Sequence, residues 1–187
     1  MEISISEVYK KYSIPINLQK HMLRTAAIAK LICENWKGPS INQKDIITTM
    51  LVHDIGNIAK MDFSTIDSVP EEKKDINYWQ KIKQEFIMKY GSDDHIATFN
   101  VVSELKVKSR ILWMVINKIF VHNEMIANSS DYELKICAYS DQIAGPHGVV
   151  PLNERFDELR KRYGNKPNAS INHPRINLSI GDFSDYV

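Results

Sequence analysis

Apolar residues in this chain recur at three- and four-residue spacing far more often than they alternate with polar ones, so the pattern predicts helices and almost no strand. A first helix is expected from about Asn17 to Trp36, stopped by Gly38-Pro39. A second runs from near Asn42 to about Asp54, with Gly56 ending it. Residues 57–73 contain Ser64, Asp67, Ser68 and Pro70 and are expected to form an irregular loop. Further helices are expected from about Asp75 to Lys89, from an Asp93 cap to about Lys106, and from a Ser109 cap to His122. Ser130 with Glu133 three residues later forms a capping-box pattern for a helix reaching about Ala144. A last helix spans about Asn153 to Tyr163, and an Asn-, Pro- and Ser-rich tail follows from Gly164. The expected architecture is all-α and single-domain. A short segment 1–17 precedes a helical bundle over 18–144, and 145–187 form a C-terminal helix and an extended tail.

Several of these helices carry an ionisable residue on the apolar stripe. His21 shares a face with Thr25, Ile28 and Ile32, and Asp54 with Ile46 and Met50, with His53 beside it. His95 lines up with Phe99, Val102 and Leu105; His122 with Leu112, Val115 and Ile119; Asp141 with Leu134, Cys137 and Ala144. A single histidine on such a stripe is ordinarily a core residue bonded to a carbonyl. Five helices each turning a His or Asp inward is a different matter, because a buried carboxylate without a partner costs several kcal/mol. No Lys or Arg is expected in the apolar register beside Asp54 or Asp141. Converging imidazoles and carboxylates without a buried cation point to a divalent metal. Consecutive helical residues diverge by about 100°. His53 and Asp54 therefore reach one ion only if it sits beside the end of their helix.

Composition narrows the partners. Lys and Arg total 24 against 23 Asp and Glu, a net charge of +1 over 187 residues, which argues against a dedicated nucleic-acid binder. The longest strictly apolar run, Ile111 to Ile116, is far too short to span a bilayer. Met1-Glu2-Ile3-Ser4 lacks the layout of a signal peptide, and Cys33 and Cys137 have no paired spacing, so a cytoplasmic location with reduced thiols is expected. Asn153 to Lys166 carries Arg155, Arg160, Lys161, Arg162 and Lys166 against three acidic residues, the pattern of a solvated helix face. His147, in a Gly-Pro loop, and His173 carry no argument for a site.

The order of these residues resembles a known family. His21 followed by Ala26-Ala27-Ile28-Ala29, then Met50-Leu51-Val52-His53-Asp54-Ile55-Gly56, then Tyr139-Ser140-Asp141, is similar to the HD superfamily of metal-dependent phosphohydrolases. The similarity covers roughly residues 18–144 and implies an all-α HD fold with His21, His53, Asp54 and Asp141 as ligands of a first metal. Two-metal members carry further histidines in this order, which implies His95 and His122 at a second ion, with Asp54 bridging. The implied cofactor is one or two divalent ions, from among Fe, Mn, Mg, Co and Ni. Many relatives have Lys directly after His-Asp-X-Gly; here Asn57 stands there, and Lys60 comes three residues later. Cyclic-dinucleotide members carry His-His-Glu and a Gly-Tyr-Pro signature; here His122-Asn123-Glu124 stands and the signature is missing, which argues against that activity.

The resemblance implies hydrolysis of a phosphate ester, nucleotide-type or another small phosphorylated molecule, by metal-activated water, with activity depending on Asp54. Arg24, one helical turn after His21, and Lys60 are the candidates for binding phosphate oxygens. The same six residues also resemble those of HD-fold mixed-valent di-iron oxygenases. A third alternative is a nucleotide- or partner-binding module with a structural metal. The oligomeric state is left open, with a homo-oligomer among the alternatives.

Overall fold

The structure is a computed structural model and describes residues 4–145 and 148–163. Its order is α1 (Ile5–Lys11), α2 (Ile16–Asn35), α3 (Gln43–Val52), a 3-10 turn (Ile55–Lys60), α4 (Ile76–Tyr90), α5 (Asp94–Glu104) and α6 (Ser109–Asn117). A second 3-10 turn (Phe120–His122) leads into α7 (Asn123–Asn128), α8 (Tyr132–Gln142), a two-residue hairpin of β1 (Ala144–Gly145) and β2 (Gly148–Val149), and α9 (Leu152–Tyr163). The fold is all-α, as the hydrophobic pattern predicts. His147, Lys166, His173 and the tail from Gly164 lie outside the described residues.

Most boundaries follow from local chemistry. Asn42, Asp75 and Asp93 accept backbone N–H bonds at the starts of α3, α4 and α5. Gly91, at φ 104°, ends α4 in a conformation that glycine tolerates best. Two expectations are corrected at the caps. Asp131, not Ser130, caps α8 by accepting from Leu134 N–H, because Glu133 is engaged elsewhere: it accepts from the Asn42 N–H and from Arg110. Lys108, not Ser109, is the cap residue of α6.

Three elements depart from the expected pattern. Segment 1–17 contains a helix, α1, started by a reciprocal capping box between Ser4 and Glu7. Its Val8 and Tyr9, with Tyr12 and Ile14 after it, join the core formed by Met22, Val52, Ile55 and Ile58, and the Tyr9 hydroxyl donates to the Leu51 carbonyl at 2.7 Å. Residues 55–60 are a 3-10 turn rather than loop, followed by irregular chain whose Phe63 and Val69 pack on Trp79. The helix expected to run unbroken from 109 to His122 ends at Asn117, and α7 follows the second 3-10 turn.

Helices α2, α3 and α8 pack together, and α6 closes over α3. Among the described residues two large apolar cores result. One gathers α1, the start of α2, the first 3-10 turn, α4, α5 and α6; the other gathers the later part of α2, α3 and α8 around Met50, Leu134 and Ile136. Met22, in the first core, and Met50, in the second, are fully buried.

Candidate metal centre

Three elements deliver four side chains to one point. His21 comes from the second turn of α2 and Asp141 from the last turn of α8. His53 and Asp54 come from the end of α3: Val52 is the last helical residue, His53 keeps right-handed helical angles, and Asp54 has left them at φ −118°, ψ 16°. That departure allows two consecutive side chains to converge.

Gly56 makes the junction possible for a different reason from the helix-ending role expected of it. It does not adopt a positive φ. It lies against α5, donates its N–H to the Thr98 hydroxyl at 3.0 Å, and leaves no room for a methyl group, which would overlap the Asp94 carbonyl and the Thr98 amide nitrogen and hydroxyl.

The donor atoms are arranged as a ligand set. His21 Nε2 lies 3.4 Å from Asp54 Oδ2 and 3.2 Å from Asp141 Oδ1. His53 Nε2 lies 3.4 Å from each of the same two oxygens. One atom from each of the four residues falls within 4.8 Å of all the others. An ion ligated at roughly 2.0–2.2 Å holds neighbouring donors roughly 3.0–3.5 Å apart. The imidazole–carboxylate spacings fit that requirement.

His53 is the most informative residue. Its Nδ1 lies 2.8 Å from the Met50 carbonyl, which only accepts, so Nδ1 carries the proton. That leaves Nε2 as the nitrogen that could ligate an ion. It is buried, has no hydrogen-bond partner, and faces both carboxylates. A backbone carbonyl orienting the far nitrogen of a histidine is the usual arrangement around a ligated metal.

The metal-free electrostatics are those of a tightly coupled cluster. Burial disfavours the His21 imidazolium, but the carboxylates of Asp141 and Asp54 outweigh it and raise the group to about 9. His53 is also raised, by Asp54 and Asp141 against burial. Burial pushes Asp54 and Asp141 upward, yet the surrounding cations hold both well below the ordinary carboxylate range.

One of those cations overturns an expectation. Lys118 is a buried lysine, its side chain 5% exposed, with Nζ 2.7 Å from Asp141 Oδ2 and 3.9 Å from Asp54 Oδ1. The stripe expected to carry no cation does carry one. The buried face of α6 is Ile111, Met114 and Val115, and Lys118 continues that spacing. It is one step away from the Leu112, Val115, Ile119 stripe read from the sequence. The i, i+3, i+4, i+7 pattern that reveals Lys118 was therefore present in the sequence.

His95 and His122 are not part of the four-residue group. The buried stripe of α5 is Ala97, Thr98, Val101 and Val102, which leaves His95 and Phe99 exposed. His122 is half-buried, with Nδ1 3.2 Å from the Asn117 carbonyl. Both histidines line a neighbouring pocket of about 350 Å³ whose other walls include His53, Ile96, Phe99 and Ile116. Arg24 is half-buried and donates from Nη1 to the Gly145 carbonyl at 2.8 Å. Lys60 pairs with Asp94 at 2.6 Å on the exposed surface. Among the described residues no helix is long and apolar enough to cross a membrane.

Comparison with known proteins agrees with the site. No curated protein and no solved structure matches the chain. The family model described as HD domain matches residues 18–145, a span that runs from just before His21 to just beyond Asp141 and so contains all four clustered residues. The chain therefore belongs to the HD domain family.

Proposed function

We propose that the protein is a metal-dependent phosphohydrolase that cleaves a small phosphorylated substrate, of nucleotide type or another phosphate ester. The observation that carries this reading is the unpartnered, buried Nε2 of His53 facing two carboxylates and a second imidazole. His21, His53, Asp54 and Asp141 would hold a divalent ion, from among Fe, Mn, Mg, Co and Ni. Such an ion supplies Lewis acidity and activates water for attack on phosphorus at neutral pH.

The chain's own residues supply the rest. The four candidate ligands come from two helices, α2 and α8, and the junction after α3, so their geometry is set by packing before any substrate arrives. Asp54, fixed at that junction, is the residue on which activity depends most. Arg24 spends one N–H on the Gly145 carbonyl, and a guanidinium has further donors for phosphate oxygens. Lys60 is available at small cost, because exposed ion pairs such as Lys60–Asp94 contribute only about 0–1 kcal/mol. The pocket beside His53, with Ile96, Phe99 and Ile116 in its walls, suits an apolar or flat aromatic portion of the ester. His95 and His122 at its edge add hydrogen-bonding nitrogens.

The test is a screen of phosphatase and nucleotidase substrates with Mn²⁺, Mg²⁺, Fe²⁺ and Co²⁺. Metal-dependent release of phosphate, lost in Asp54→Ala, supports the reading. Tight nucleotide binding with no turnover would favour a binding module instead.

A further inference from the structure

The two carboxylates of the centre are each divided. Asp54 Oδ2 and Asp141 Oδ1 face the two imidazoles, while Asp54 Oδ1 and Asp141 Oδ2 face Lys118. The inner pair completes the ligand set. The outer pair is where a second ion would have to attach, and an ammonium group already stands there.

We propose that this centre holds a single divalent ion and that Lys118 is its built-in second cation, a positioning residue that fixes the outer oxygens of Asp54 and Asp141. The proposal rests on the metal-binding part of the function proposed above and not on the choice of reaction.

The fold places Lys118 deliberately. Helix α6 stops at Asn117, and the Lys118 N–H closes the last turn on the Met114 carbonyl at 3.0 Å. The side chain continues the buried face of α6 and passes inward to Asp141, where it is buried. An ion bridged through Asp54 Oδ1 would sit beside this charge in a site of low exposure, and repulsion between cations there is poorly screened. The two histidines that a second ion would need are displaced from the centre. His95 is exposed at the start of α5, and His122 lies beyond the break in α6, held at the Asn117 carbonyl. Both face the neighbouring pocket, where contact with substrate is the role left to them.

A lysine in this place has two consequences that a merely structural residue does not. It reduces the negative charge offered to the ion, which lowers metal affinity. It also steadies the carboxylates when no ion is bound. Removing the charge therefore tightens metal binding and destabilises the metal-free state.

The test uses the full chain saturated with Mn²⁺. Elemental analysis after removal of free metal is expected to give one Mn per chain, and the electron paramagnetic resonance spectrum the six lines of an isolated ion. His95→Ala and His122→Ala are expected to keep that count. Lys118→Met is expected to lower the Mn²⁺ dissociation constant at least tenfold and to enlarge the rise in melting temperature on adding Mn²⁺. Two Mn per chain with an exchange-coupled spectrum would overturn the proposal while leaving the metal reading intact. No Mn at all would overturn both. Unchanged or weaker binding by folded Lys118→Met would also overturn it. If that variant does not fold, the wild-type count and spectrum still decide. The same count separates this centre from a di-iron oxygenase, which needs two ions.

Discussion

Gly56→Ala isolates the physical reason for the His-Asp-Ile-Gly sequence. The added methyl would overlap three atoms of α5, and two of them, the Asp94 carbonyl oxygen and the Thr98 nitrogen, are backbone. Backbone in the first turns of a packed helix cannot move away alone, so the 3-10 turn and α5 must separate. Overpacking of this kind costs about 1–3 kcal/mol. Separation also breaks the Gly56 N–H bond to Thr98, worth about 1 kcal/mol and more if the buried N–H is left unsatisfied. The expected loss is about 2–4 kcal/mol, a large fraction of the roughly 5–15 kcal/mol that holds a domain together. For a chain of this size that corresponds to a fall in melting temperature of roughly 4–16 °C. Urea titration monitored by circular dichroism measures it, with Thr98→Ala and the double variant as controls. Thr98→Ala removes the hydroxyl from the clash but leaves both backbone atoms, so the double variant is expected to recover only part of the loss. A Gly56→Ala protein within 0.5 kcal/mol of wild type, or full rescue by Thr98→Ala, would refute the packing argument.

Other expectations follow from the same site. Because His21 is raised to about 9 in the metal-free chain, its charge contributes stability that is complete below its unfolded value of about 6.5 and is lost as pH rises through 9. Melting temperatures of the metal-free protein should therefore fall between pH 6.5 and 9, and His21→Gln should flatten that slope. Over the same window Mn²⁺ affinity should rise, since the ion needs a neutral imidazole; titration calorimetry at several pH values measures it. Chelation of the purified protein should lower its melting temperature, and in Asp54→Ala that effect should disappear. Arg110 pairs with Asp131, the α8 cap residue, through two hydrogen bonds and also with Glu133. Arg110→Met should cost about 1–2 kcal/mol in urea titration and weaken Mn²⁺ binding, because α8 carries Asp141.

Much of this was legible in the residues alone. Long segments with strong periodicity, such as 16–35 and 76–90, show their helices directly, because burial of one face dominates local preferences. The four clustered residues were legible because charged groups on apolar stripes are costly unless they meet something. What escaped has specific causes. In α5 and α6 apolar residues lie nearly all round the helix, so the stripe can be drawn one step off; that error exposed His95 and hid Lys118. Helix α1 is seven residues long, too short for periodicity to show, and its stability comes from tertiary contacts such as Tyr9 to Leu51. The clash that demands Gly56 lies between segments more than 35 residues apart, which no local pattern records.

In the proposed centre, residues from two helices and the junction after α3 share an ion. Anomalous diffraction from crystals soaked in Mn²⁺ tests it directly. A peak is expected roughly 2.0–2.3 Å from His21 Nε2, His53 Nε2, Asp54 Oδ2 and Asp141 Oδ1. A saturated crystal with no peak among these four atoms, or with manganese bound only elsewhere, would contradict it.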